Sequence, residues 1–169
     1  MKLAVFYIKL ALEVAPAGLL RIMGKPVLAV SFVLTGGDFS LAGDASGRIK
    51  RLLQKAGVPA PVVRRTAIAS YEAEMNVIIH ADGGTMYLEI HPDETRLIVE
   101  DQGCGIENLE LAMREGYSTA PDFVREMGFG AGMGLPNMKK CADQFSIVSA
   151  VGKGTKIEMV FRHKVETAE

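Results

Sequence analysis

The stretch Met127-Gly128-Phe129-Gly130-Ala131-Gly132-Met133-Gly134-Leu135 sets glycines at four alternate positions and then runs into Pro136-Asn137-Met138. Alternating glycines ahead of a helix suit a loop whose backbone N–H groups close on phosphate at the helix N-terminus. Two common phosphate loops do not fit. A dinucleotide fingerprint needs Gly-x-Gly-x-x-Gly after an apolar strand. Here the third position falls on Met133 or Leu135, and Val124-Arg125-Glu126-Met127 precedes the loop. The order Gly-Lys-Ser/Thr is also missing, because Gly152-Lys153-Gly154-Thr155 interposes a glycine. Taken alone, the loop fits a flexible structural turn as well.

The loop belongs to a wider surplus. The 169 residues include 18 glycines, about 11% against a usual ~7%. Seven of them fall between Gly103 and Gly134. Disorder does not explain the excess, since the chain is 49% apolar and rich in Ile, Leu and Val. The length suits one domain with a real core. A net charge of −1 argues against sequence-independent nucleic-acid binding, which needs surplus Lys and Arg to displace counterions. Cys104 and Cys141 make neither a disulfide scaffold nor a zinc spacing, so a reducing compartment, the cytoplasm, is expected.

At the N-terminus, MKLAVFYIKLALEVAPAGLLRI (residues 1–22) invites a signal-peptide reading. Lys9 and Glu13 interrupt its apolar run, which is too short for a leader core or a membrane span. Residues 1–26 are therefore expected to be an extension, with Met23 as an alternative start, and residues 163–169 a tail. Between them, residues 27–162 read as one domain. Val27–Thr35 is a strand, and Ser40–Ala56 has helical spacing weakened by Gly43 and Gly47. Val62 to about His80 is a stronger helix. Thr85–His91 and Arg96–Glu100 alternate about Pro92-Asp93-Glu94 as a hairpin. Glu107–Arg114 reads as a short helix, followed by loop to Gly134. Leu135, Met138, Ala142 and Phe145 mark a helix that tolerates Pro136 in its first turn. Phe145–Ala150 and Lys156–Arg162 are strands. The pattern favours an α/β (α+β) two-layer sandwich, a mixed, mostly antiparallel sheet with helices on one face.

Charge is segregated. Between Ala45 and Tyr71 there are six basic residues and no acid, whereas between Glu89 and Glu126 ten acids face three arginines. Such runs are solvated faces or a docking surface for a protein partner.

Two further constellations carry chemistry. Glu100-Asp101-Gln102-Gly103-Cys104-Gly105-Ile106 follows a strand end. An Asp held there either caps a tight turn or accepts from an amino group such as that of adenine, with glycines admitting a close ring. On the long helix, Glu72 and Asn76 are four apart and share a face, while Glu74 points roughly the opposite way. An amide oxygen suits Mg²⁺, and a carboxylate one turn earlier can activate a hydroxyl or water. Surface polarity is the plain alternative, weakened because Ile68, Met75, Val77 and Ile79 make this helix largely buried.

In this order the three pieces resemble the GHKL ATPase superfamily (Bergerat fold). Glu72–Asn76 is similar to its N box, Asp101-x-Gly103-x-Gly105 to its first glycine box and Gly130-x-Gly132-x-Gly134-Leu135 to its second. Within it, the chain most resembles bacterial anti-sigma-factor and switch serine kinases, through Asn76-Val-Ile-Ile-His80, Glu115-Gly-Tyr-Ser-Thr119, Gly134-Leu-Pro-Asn-Met-Lys139 and Gly152-x-Gly154-Thr155. The resemblance covers about Val27 to Arg162.

The resemblance implies ATP and Mg²⁺ as cofactors. Asn76 would coordinate the metal, and Glu72 would be the general base for a protein hydroxyl. Asp101 would accept from adenine with Thr155 assisting, Gly103, Gly105 and Ile106 would shape its pocket, and Gly130, Gly132, Gly134 and Leu135 would wrap the triphosphate. Residues 109–127 would be a mobile lid, with Ser118, Thr119 and Arg125 as secondary phosphate contacts. Cys104 is read as a small packing residue and His80 as a core or capping histidine. The implied activity is transfer of the γ-phosphoryl group to a serine or threonine of a small antagonist protein, with a sigma factor as a further partner. No direct nucleic-acid or membrane contact is implied, and a homodimer is left open. The rival is an ATP-gated module that sequesters a partner without phosphoryl transfer. A histidine-kinase reading is disfavoured because every histidine lies at or beyond His80 and no dimerisation helix precedes the fold.

Overall fold

Alternation sets the sheet. In β2 (Gly83–Ile90) and β3 (Glu94–Asp101), Met86, Leu88, Ile90, Leu97 and Val99 are buried, and the residues between them are partly exposed. A one-residue slip would turn that whole set to solvent, so register is strongly specified. β2 and β3 pair antiparallel, Leu88 opposite Leu97. β1 (Leu28–Thr35) adds Phe32 and Leu34, while β5 (Thr155–Arg162) adds Ile157, Met159 and Phe161. β4 (Gln144–Ser149) closes the far edge, giving the order β1-β2-β3-β5-β4. Every pair is antiparallel, so the sheet expected to be mixed but mostly antiparallel is antiparallel throughout. The two-layer α+β sandwich stands as expected. This computed structural model describes residues 25–164. The N-terminal segment through residue 24, including the choice between Met1 and Met23, and the tail from residue 165 lie outside the described residues.

Helices cover one face. α1 (Asp44–Lys55) contributes Ile49 and Leu53, and α2 (Ala60–His80) contributes Val62, Ala69, Ala73 and Val77 to one core with the inward strand residues. Leu97, Met159 and Phe161 are fully buried, each worth roughly 1.5–3 kcal/mol of apolar transfer. The helix expected over Ser40–Ala56 is split. Gly43 takes φ 90°, which separates a 3₁₀ turn (Phe39–Leu41) from α1. α2 starts two residues earlier than its pattern suggests, with Pro61 tolerated in the first turn.

Two short helices sit in the expected lid: α3 (Leu109–Ala112), capped by Asn108, and α4 (Asp122–Glu126), where only loop was expected. α5 (Gly134–Cys141) ends before Phe145 because the chain has already joined the sheet. Asp143 N–H donates to Val160 O (2.8 Å), and Phe145 pairs with Met159. The basic segment divides as well. Arg65 makes a two-pronged ion pair with Asp143 (3.0 Å for both bonds), whereas Lys50, Arg51, Lys55 and Arg64 are exposed.

Candidate functional site

The helix α2 presents Glu72 and Asn76, both half-buried, beneath the start of α5. Asn137 Nδ2 donates to Glu72 Oε1 at 2.7 Å. A Cβ at Gly134 would stand 3.0 Å from Asn76 Oδ1 and 3.5 Å from Glu72 Oε2. Glycine is what lets α5 begin this close to the two side chains. Nothing on its N-cap, Met133, caps α5. The first-turn N–H groups of Gly134 and Leu135 therefore point along an uncapped, partially positive helix end. An anion placed there meets that end from one side and the Asn76 amide from the other.

A second cluster forms where β3 ends. Asp101 Oδ1 accepts from Gly103 N (2.8 Å) and Thr155 N (3.1 Å), which fixes the carboxylate and leaves Oδ2 without a partner among the described residues. Gly154, at φ 78°, packs against the Asp101 carbonyl, where a Cβ would collide. Gly105 meets the Ala150 carbonyl in the same way. Ser149, which no sequence motif indicated, knits the floor. Its Oγ donates to Gly154 O (2.8 Å), accepts from Ile106 N (2.8 Å) and lies 3.0 Å from Thr155 Oγ1. With its one proton committed to Gly154, Ser149 accepts from Thr155, so Thr155 Oγ1 keeps its lone pairs for another donor.

The two clusters share α2. Asn76 is one turn, about 6 Å of helix rise, before His80, whose carbonyl would lie 2.8 Å from a Cβ at Gly103. His80 lies at the C-terminal end of α2 and is an exposed residue overall, not a member of the core. Local desolvation lowers its pKa, partly opposed by the Asp101 charge.

The glycine loop behaves differently along its length. Gly134 approaches Glu72 and Asn76, but Gly130 and Gly132 close on the lid. Gly116 N donates to Gly132 O (3.0 Å), and Cβ atoms at Gly130 and Gly132 would stand 2.5 Å from Ala120 Cβ and Tyr117 O. Ser118 Oγ accepts from Ala120 N, and Arg125 donates to Ser118 O, so both are engaged within the lid itself. Lys140 of α5 pairs with Glu115 at 2.6 Å, and that bond lowers the Glu115 pKa.

Glu74 also escaped the sequence motifs. It is 1% exposed and caps α1, accepting from Ala45 N and Ser46 N at 3.0 Å each. Its only legible signal was its place on the face opposite Glu72. Among the described residues, no group of three or more His, Cys, Asp or Glu side chains could hold a metal. A metal here needs ligand oxygens from elsewhere, as Mg²⁺ does when it binds through one protein oxygen and substrate phosphates. Among the described residues, no helix is long and apolar enough to cross a membrane.

The Bacillus subtilis serine/threonine-protein kinase RsbT is 33% identical over 100 residues, 57% of this chain and 69% of that protein. The anti-sigma F factor of Clostridium acetobutylicum is 40% identical over 97 residues, 54% of this chain and 64% of that protein. The mycobacterial sensor histidine kinase MprB is a distant structural likeness, with TM-score 0.47 and 17% identity over 81% of this chain and 99% of that one. The model of the histidine kinase-, DNA gyrase B- and HSP90-like ATPases matches residues 65–165. α2 from Arg65 onward, both glycine boxes and the last two strands fall within that match, and the chain belongs to this ATPase family.

Proposed function

We propose that this chain is an ATP- and Mg²⁺-dependent serine/threonine protein kinase of the anti-sigma or switch type, acting in the cytoplasm on a small antagonist protein. The observation that carries the reading is the placement of Glu72 and Asn76 together under the uncapped N-terminus of α5. The family supplies ATP as the ligand, and relatives named as a serine/threonine kinase and as anti-sigma factors supply the class of target.

Each residue then has a task. Asp101 Oδ2 accepts from the adenine amino group, and Thr155 Oγ1 accepts directly or through a water. Gly103, Gly105 and Ile106 line the ring. Gly134 and Leu135 offer N–H groups to the phosphates, and Gly130 and Gly132 hold the lid alongside. Asn76 Oδ1, a hard oxygen beside that phosphate position, fits Mg²⁺, which would neutralise phosphate charge as it shifts in the transition state. Glu72 Oε2 has no hydrogen-bond partner among the described residues, while Asn137 holds Oε1. It takes the proton from the incoming serine or threonine hydroxyl as that oxygen bonds to the γ-phosphorus and the bond to ADP breaks.

The test separates the two roles. Asn76→Ala abolishes Mg·ATP binding by calorimetry, and Glu72→Gln retains binding but loses phosphoryl transfer. Full transfer by Glu72→Gln would remove Glu72 as the base and favour a module that only sequesters its partner.

A further inference from the structure

The connection between β1 and α1 has no part in the reaction above, yet it joins the lid to the helix that carries Glu72 and Asn76. At its start, the Phe39 ring stacks on Phe129 (6.2 Å between centroids, 25°) and meets Phe123 edge-on (6.3 Å, 81°). Phe123 belongs to α4 in the lid, and Phe129 to the glycine loop. At its end, the N–H groups of Ala45 and Ser46 are held by Glu74, on the helix that carries Glu72 and Asn76. The turn bearing Phe39 is itself braced, since Asp38 accepts from both the N–H and the hydroxyl of Ser40.

Gly116, within the lid, and Gly128, just after it, take φ 81° and 88°, each with open space where a Cβ would stand. Between them Phe123 is 56% exposed, so an apolar ring lies half in water, with Phe39 as its aromatic neighbour. Residues 39 and 123 are far apart in sequence, so local chain geometry does not bring them together. A ring pair of this kind gives orientation as well as attraction.

We infer that Phe39 is a positioning residue for the lid: its clasp on Phe123 and Phe129 anchors the lid to the N-box helix through the Glu74-held connection and sets how fast bound nucleotide leaves. The inference rests on the nucleotide-binding reading above and adds a determinant outside the three motifs.

The chain has no tryptophan, so Phe39→Trp introduces a single reporter beside the lid. The experiment measures release of a fluorescent N-methylanthraniloyl-ATP from the full chain by stopped-flow chase with excess ATP. Wild type binds and releases slowly. Phe39→Ala and, independently, Phe123→Ala each release about 2- to 13-fold faster, with the association rate unchanged, and Phe39→Tyr restores the wild-type rate. Trypsin cuts Phe39→Ala faster at Arg114 or Arg125 under saturating ATP, and the Phe39→Trp emission shifts when Phe123→Ala is added. If wild type fails to bind the analogue, the nucleotide-binding reading falls. If wild type binds and both alanine variants, folded by their melting, release at the wild-type rate, the clasp alone is overturned. Should Phe39→Ala not fold, exposed Phe123→Ala decides by the same rate.

Discussion

Gly134→Ala probes the site with one methyl group. The new carbon would stand 3.0 Å from Asn76 Oδ1, 3.4 Å from Asn76 Nδ2 and 3.5 Å from Glu72 Oε2. Ordinary contact begins near 3.4 Å, so the Asn76 amide must retreat by about 0.4 Å. Gly134 is not among the glycines with positive φ, so the backbone accepts alanine without strain. Lower unfolded-state entropy contributes about 0.4–1 kcal/mol at such a position, and the tight contact offsets part of it. The thermal midpoint should therefore move little. Catalysis should not be so tolerant, because a misplacement of about 1 Å costs on the order of 100-fold. A shift of about 0.4 Å at the amide proposed to hold the metal, with a methyl crowding the first-turn N–H groups, predicts loss of about 5- to 10-fold in transfer and weaker Mg·ATP binding. Calorimetry with Mg·ATP, a transfer assay and a melting curve on one preparation measure all three. A variant with wild-type binding, transfer and melting would refute the placement of Asn76 and Glu72 beneath the nucleotide.

Other perturbations test the frame around the site. Glu74→Ala strips the cap from α1 and leaves two buried N–H groups unpaired, which costs about 2–4 kcal/mol. Glu74→Gln, which keeps one acceptor, should lose roughly half of that in a denaturant titration. Asp143 reports on pH. Burial pushes its pKa up, but hydrogen bonds from Arg65 and the Arg162 N–H outweigh this and hold it below 3.8. A lowered folded pKa stabilises the fold above the ordinary carboxylate value and loses that contribution as pH falls through the folded value. The melting difference between wild type and Asp143→Asn should therefore be constant from pH 5 to 7 and shrink below about pH 3.8. A difference that grows on acidification would reverse the assigned sign.

How far the fold can be read from residues depends on whether partners are near in sequence. β2, β3 and α2 were legible because burial writes period 2 or period 3.6 directly into the apolar pattern. Glu72 and Asn76 were legible as a pair because four residues is one helical turn. What was missed involves distant partners. Glu74 caps a helix about 30 positions away, and Ser149 gains meaning only when Ile106 and Gly154 arrive beside it. Strand directions follow from pairings that no spacing encodes, so the pattern predicts a mixed, mostly antiparallel sheet where every pair is antiparallel. Gly43 was recognised as a weakness in its helix, but only its left-handed backbone showed a clean break. Nor does alternating glycine spacing tell which neighbour each will meet: Gly130 and Gly132 rest on the lid, and Gly134 approaches Asn76.

The most direct test of the central claim follows labelled phosphate. The wild-type chain, captured from its native host with its protein partner, is given Mg²⁺ and ATP labelled at the γ-phosphate, beside Glu72→Gln and Asn76→Ala. Label is expected on a serine or threonine of the partner with wild type alone, ATP bound by Glu72→Gln without transfer, and neither binding nor transfer by Asn76→Ala. Label that reaches the partner equally in all three, or an ATP-dependent complex in which wild type labels nothing, would contradict that expectation.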